Sequence, residues 1–308
     1  MNLTADILIP VYRPGKQLLR LLDRLQEQTC PIRRIILMNT ERRYFPEGLE
    51  RKYKNVEVHH LSKQEFDHGG TRDRGIRMSR ADVVVCMTQD ALPADGHTVE
   101  RLLEVFDDPS VWAAYGRQLP AADCREVERY TRGFNYPEHS RVKGIDDLEE
   151  LGIKTFFCSN VCAAWRRDRY LELGGFEKRA IFNEDMILAG RMVRMGGRIA
   201  YCAGARVVHS HNYSAMQQFH RNFDLAVSQT MHPEVFGGIR SESEGIRLVK
   251  TSMGHCLKIG KPWLCFQVLT QSAGKFLGYK LGQRYGKLPR RMILWCTMNP
   301  TFWQEGKG

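Results

Sequence analysis

Ala5-Asp6-Ile7-Leu8-Ile9-Pro10-Val11 is a short, β-rich apolar run, and Tyr12-Arg13-Pro14-Gly15 closes it with turn residues, so it reads as a buried strand entering a loop. Outward from it the same alternation repeats. Leu18, Leu19, Leu22 and Leu25 recur at helical spacing; apolar runs follow at 34–38, 56–58 and 81–87, the last after a helix-like stretch over 71–78. Strands alternating with helices predict crossover units, hence an α/β protein with a mostly parallel sheet flanked by helices. The pattern continues with a helix near 95–106 and a strand near 111–115. Residues 118–155 lose periodicity and hold Pro120, Gly133, Pro137 and Gly144 among charges, which predicts a long surface excursion. Order returns at 160–165, with a helix over about 183–195, strands near Ile199 and Val207, and helical patterning from Asn212 onward. The division this implies is an α/β domain over 1–230 and a basic, amphipathic helical region over 231–308.

A chain of 308 residues can bury a full core, and its balance of 43% hydrophobic and 26% charged residues excludes collagen-like or low-complexity classes. The nine cysteines are scattered without a CxxC pair, which fits reduced, buried thiols rather than a disulfide frame. No basic stretch followed by an apolar segment opens the sequence, so a cytoplasmic protein is expected. The net charge of +11 is concentrated late: from residue 241 onward eleven basic residues face three acidic ones.

Ligands of open α/β sheets bind at the carboxyl ends of strands, so the residues after each apolar run are the candidates. They are Tyr12-Arg13, Asn39-Thr40-Glu41, Asp67-His68 with Thr71-Arg72, Gln89-Asp90, and His209-Ser210-His211. Together with these, the stretches 7–12, Thr88-Gln89-Asp90-Ala91-Leu92-Pro93, Phe182-Asn183-Glu184-Asp185 and His209-Ser210-His211 resemble a family 2 glycosyltransferase of GT-A fold, in both order and spacing. Phe66-Asp67-His68-Gly69-Gly70-Thr71-Arg72 and the Gln89-Asp90 form of the metal motif resemble the bacterial dTDP-rhamnosyltransferase group.

The resemblance implies an inverting, metal-dependent transferase that moves a sugar, L-rhamnose from dTDP-rhamnose, onto a glycan or lipid-linked saccharide during cell-surface polysaccharide synthesis. A departing diphosphate is commonly neutralised by a hard divalent cation, here Mn²⁺ or Mg²⁺. Asp90 is the first ligand expected, and either His209 or His211 the second, since alternate residues of an extended segment point to opposite sides. Inversion in one displacement needs a base; the resemblance assigns it to the second acidic residue, Asp185, with Glu184 the alternative. Pro10, Val11 and Tyr12 would floor the nucleotide pocket. Asn39 stands where the family commonly has an acidic residue, and its amide suits a uracil- or thymine-like edge; Glu41 and Gln89 lie at neighbouring strand ends. His68, Thr71 and Arg72 flank two glycines before a helix, an arrangement suited to a diphosphate, and Trp165 is a candidate platform for an acceptor sugar.

The C-terminal segment mixes Trp263, Phe266, Phe276 and Trp295 with lysines and arginines, without a run long enough to span a membrane. Peripheral contact with the inner membrane surface is one reading, packing on the core or in a homodimer another. The thinned metal motif leaves open a non-catalytic nucleotide-sugar-binding or scaffold protein, and a family 2 transferase using another nucleotide-hexose. Nucleic-acid binding lacks a recognisable module.

Overall fold

The computed structural model describes residues 3–239 and 242–303. Nine strands are present among them: β1 (Ala5–Tyr12), β2 (Ile32–Thr40), β3 (Val56–Leu61), β4 (Val83–Met87), β5 (Leu92–Pro93), β6 (Val111–Leu119), β7 (Arg141–Lys143), β8 (Cys162–Arg166) and β9 (Arg198–Val208). The helices are α1 (Lys16–Gln26), α2 (Leu49–Lys52), α3 (His68–Met78), α4 (Thr98–Leu103), α5 (Glu126–Asn135), α6 (Leu148–Leu151), α7 (Arg167–Glu172), α8 (Glu184–Arg194), α9 (Ala215–Met231), α10 (Pro233–Phe236), α11 (Glu242–Lys258), α12 (Leu264–Gly282) and α13 (Arg290–Cys296).

One compact unit reaches to Ala121 and adds Tyr136–Lys178 and Glu184–His209, and it contains every strand. Its sheet runs β3-β2-β1-β4-β8-β6-β9-β5, with β7 on β9. The first four strands pair parallel, as crossover units require. β8 is antiparallel to both β4 and β6, and β9 is parallel to β6. That reversal decides where the site lies. The carboxyl ends of β4, β6 and β9 share one edge of the sheet, and between them β8 presents its amino end.

Under one face Ile7, Ile9, Ile35 and Val85 pack with the buried stripe Leu18, Leu21, Leu22 and Leu25 of α1. Each such side chain contributes on the order of 2 kcal/mol by leaving water. At the amino edge Asp6 is wholly buried, and its carboxylate accepts from Arg33 Nε (3.0 Å) and Ser79 Oγ (2.7 Å).

The second unit comprises Ala122–Asn135, Arg179–Asn183 and the chain from Ser210 on. It is helical: α9 packs along α12, and Phe219, Phe223 and Val227 meet Ile293 and Cys296 in its core. The helical unit therefore starts about twenty residues before the expected division at 230/231, because α9 turns its apolar face to α12. The expected excursion over 118–155 is also divided. It forms α5, which buries Val127 in the helical unit, and β7, which extends the sheet beside β9. Lys307 of the basic C-terminal count lies outside the described residues.

Candidate active site at the carboxyl edge of the sheet

Two groups of polar side chains gather where β4, β6 and β9 end. The first is a set of metal-ligand types. Asp90, His209 and His211 each offer a ligand atom, and these atoms lie within 4.8 Å of one another. His209 Nε2 stands 3.6 Å from Asp90 Oδ2, a separation too long for a hydrogen bond but suited to two donors on one cation. Gln118, at the end of β6, donates from Nε2 to Ser159 Oγ (3.2 Å), which turns its oxygen toward His209 Nδ1 at 3.1 Å. That contact puts the ring proton on Nδ1 and leaves Nε2 its lone pair, the support a ligating imidazole needs. One carboxylate and two imidazoles, one of them oriented from behind, fit a divalent cation. The imidazole nitrogens favour Mn²⁺ over Mg²⁺.

The second group is an acid pair at the start of α8. Asn183 has φ +63°, a left-handed conformation that asparagine tolerates, and the next two residues open the helix. Glu184 is buried; its Oε1 lies 3.1 Å from Arg72 and accepts from Asn160 Nδ2 at 3.2 Å. Burial opposes the charge on Glu184, but the Arg72 guanidinium, then His68 and the Asn160 amide, outweigh it and hold the carboxyl below its ordinary range. Asp185 is half-buried, accepting from the backbone N–H groups of Asn160 (2.9 Å) and Met186 (2.8 Å). Burial first, and then the charge of Glu184, push Asp185 up to about 7. Two adjacent carboxyls are thus separated in proton affinity, one a fixed anion and the other able to take a proton near neutrality.

Ser159-Asn160 joins the two groups. Ser159 holds the amide that orients His209, while Asn160 holds both acids. Neither residue, nor Gln118, stands among the sequence candidates. Ser159 and Asn160 precede an antiparallel strand rather than following a parallel one, and Gln118 lies beyond the strand end expected near residue 115; Asn160 opening an apolar run was the available signal.

The structure holds the remaining candidates as follows. Trp165, expected as an acceptor platform, is fully buried in β8, edge-on to Phe176, and donates from Nε1 to Asn160 Oδ1 (3.0 Å), so its ring supports Asn160. Arg72, expected on a phosphate, is 7% exposed and paired with Glu184. Thr71 accepts from the Asp67 N–H, and Asp67 caps α3 through Gly70. Gly69 is needed for packing rather than for a ligand: a Cβ there would lie 1.9 Å from the Glu177 carbonyl oxygen. Asn39 is wholly buried, with Nδ2 on His60 (2.9 Å) and Oδ1 without a partner. Glu41 accepts from Lys63 N–H, and Gln89 makes two bonds to the Tyr12 backbone, tying the ends of β1 and β4 together. Val11 is core and Pro10 half-buried, whereas Tyr12 is 37% exposed beside Tyr44 and Arg13. His68 stacks edge-on against Phe66.

The comparisons with known proteins agree with this architecture. A family model described as Glycosyl transferase family 2 matches residues 6–174. The O-antigen chain rhamnosyltransferase RfbN of Salmonella typhimurium is 38% identical over 97% of this chain and 96% of its own length. WbaN of Salmonella anatum, described likewise, is 37% identical over 97% and 95%. Among solved structures, a Pyrobaculum calidifontis mannosyltransferase in complex with GDP-Man and Mn²⁺ superposes with TM-score 0.58 at 14% identity, covering 98% of this chain and 88% of that one. S. aureus TarS residues 1–349 with UDP-GlcNAc gives TM-score 0.52 at 13% identity, over 92% and 91%. At such identities these likenesses establish the shared GT-A-like fold alone.

Proposed function

The chain belongs to glycosyl transferase family 2, and from that premise we propose that it is an inverting rhamnosyltransferase taking L-rhamnose from dTDP-rhamnose to a lipid-linked saccharide on the cytoplasmic side of a membrane. That it is a glycosyltransferase follows from the family and from relatives matching nearly its whole length. The sugar is carried over from the relatives named as rhamnosyltransferases, and its dTDP carrier from the resemblance of residues 66–72 and of Gln89-Asp90. The chemistry is argued from the site, and one observation carries it: Ser159-Asn160 couples the Asp90-His209-His211 cluster to the Glu184-Asp185 pair across neighbouring strand ends.

Asp90, His209 and His211 would hold the cation. Bound there, Mn²⁺ or Mg²⁺ supplies positive charge to the diphosphate as it departs. Asp185 Oδ accepts the proton of the acceptor hydroxyl while that oxygen forms its bond to the anomeric carbon and the bond to the diphosphate oxygen breaks on the opposite face. Asn160 and the Met186 N–H fix the carboxylate for that approach. Glu184 remains an anion paired with Arg72, so it does not compete for the proton.

Two variants separate these roles. Asp185→Asn should reduce transfer by about a thousandfold or more while leaving donor affinity near that of the parent. Asp90→Ala should weaken Mn²⁺-dependent donor binding itself, read by calorimetry with dTDP-rhamnose. Equal loss of both properties in both variants would sink the assignment, and turnover of a UDP- or GDP-hexose with none of dTDP-rhamnose would replace the donor.

A further inference from the structure

Helix α12 is built with its small side inward. Gly274, Gly278 and Gly282 share one face, and a Cβ on each would meet the carbonyl oxygens of Ala215, Phe219 and Phe223 in α9 at 2.5, 2.1 and 2.3 Å. Backbone approaches backbone there, and only hydrogen fits. The bulky apolar residues are left on the opposite side: Phe266, Leu269, Phe276 and Leu277 fall on one stripe and are 74%, 49%, 58% and 55% exposed. An ordinary helix of a water-soluble domain has the reverse arrangement.

The corner between α11 and α12 exposes further apolar side chains. Gly260 at φ +70° lets its N–H reach the Leu257 carbonyl (3.0 Å), and the Lys261 N–H reaches Cys256 (2.9 Å), closing α11 with a fixed left-handed cap. Cys256, Val268 and Leu264 pack beneath the corner. Leu257 and Trp263 therefore project from a firm support, 61% and 66% exposed, with Lys258 and Lys261 beside them. Lys261 Nζ also lies 3.9 Å from Glu126, an open contact weakened by salt.

Charge selects the occupant. From residue 245 to 304 the chain carries ten lysines and arginines and no carboxylate side chain. A second copy docked through a two-fold axis would set cations against cations. An anionic bilayer instead offers headgroups to the lysines and an apolar layer to the aromatic rings. Among the described residues no helix is long and apolar enough to cross a membrane. We infer that the α11–α12 corner and the outer stripe of α12 seat the protein on an anionic membrane surface, with α12 lying in its plane. The inference rests on the proposed activity only in supplying a lipid-linked acceptor; membrane binding itself needs none of the residues assigned to the chemistry.

Vesicle co-sedimentation of the full chain tests it, and sugar transfer does not enter the measurement. Vesicles with about one third phosphatidylglycerol should carry the protein down, phosphatidylcholine alone should not, and added salt should release it. The doubles Phe266→Ser/Phe276→Ser and Lys258→Glu/Lys261→Glu should each weaken binding about tenfold or more, with unchanged melting temperature and unchanged slow hydrolysis of dTDP-rhamnose. In the parent protein, brominated lipid should quench tryptophan emission, and less so in Trp263→Phe. Absence of binding to anionic vesicles, or equal binding by all variants, would overturn the proposal. So would a dimer in light scattering that Phe266→Ser/Phe276→Ser splits, since the stripe would then belong to a second copy.

Discussion

At the level of single residues the site turns on how Glu184 and Asp185 divide one proton affinity between them. Burial and then the Glu184 charge raise Asp185 to about 7, and in the proposed role only its ionised form is a base, so kcat/KM should rise with pH through that region and level off above it. Glu184→Gln removes the negative neighbour and frees Arg72, and both changes favour the Asp185 anion. The acid limb of the pH–rate profile should therefore move to lower pH; a shift to higher pH would sink the coupling. The same shift has a stability consequence. Unfolded, Asp185 loses its proton near pH 4; folded, it holds the proton until about 7, so the native state loses stability as pH rises across that window. Asp185→Asn should melt at a higher temperature than the parent at pH 8, with the difference closing toward pH 4. Calorimetry at the two values checks the sign. The acid pair entered the sequence reading through the family motif it resembles, whereas Asn160 did not, because its contacts run from its backbone and amide to two residues some 25 positions away.

Between elements, glycine spacing sets how closely helices approach, and that is nearly invisible in one sequence. The pair Gly69-Gly70 reads equally as a ligand loop or as a packing notch. The Glu177 carbonyl decides for the notch, and through it α3 is placed so that Arg72 reaches Glu184. Likewise the aromatic residues of α12 fit either core packing or an outward face until the Gly274-Gly278-Gly282 face is seen against α9. Gly278→Val should force the two helices apart and destabilise the protein by about 1–3 kcal/mol, or more if the backbone cannot shift. Gly254→Ala, in α11 with nothing within 4 Å of its Cβ, should stabilise by about 0.5–1 kcal/mol through reduced freedom of the unfolded chain. Urea unfolding distinguishes the two, and destabilisation by both would show that helix packing around α11 is tighter than the structure has it. The direction of β8 was equally hidden. Its apolar run is the same forward or reversed, and only pairing with β4 and β6 turns its amino end toward the site.

Across the whole chain, period and turn chemistry made the α/β class and the four parallel strands readable, since apolar runs bounded by Pro and Gly have few alternatives. What stayed hidden depends on contacts distant in sequence, such as the recruitment of residues 122–135 into the helical unit. The two edges of the sheet also treat an aspartate differently. At the amino edge Asp6 is buried under Arg33 and Ser79, and at the carboxyl edge Asp90 keeps 28% of its side chain exposed beside His209. The first aspartate takes its partners from the fold itself; the second is the one proposed to hold a cation. Asp6→Ala should therefore destabilise the protein by about 1–3 kcal/mol, a range held down because Arg33 is partly exposed and can turn to water. Donor affinity per folded molecule should be unchanged. Asp90→Ala should leave stability within about 0.5 kcal/mol of the parent while donor affinity falls. The two sites share no partner, so the double variant should show the sum of both effects in urea unfolding and the single Asp90 effect in binding. Coupling between them would mean that the two edges of the sheet are not independent, and the assignment of Asp90 to ligand binding alone would fail.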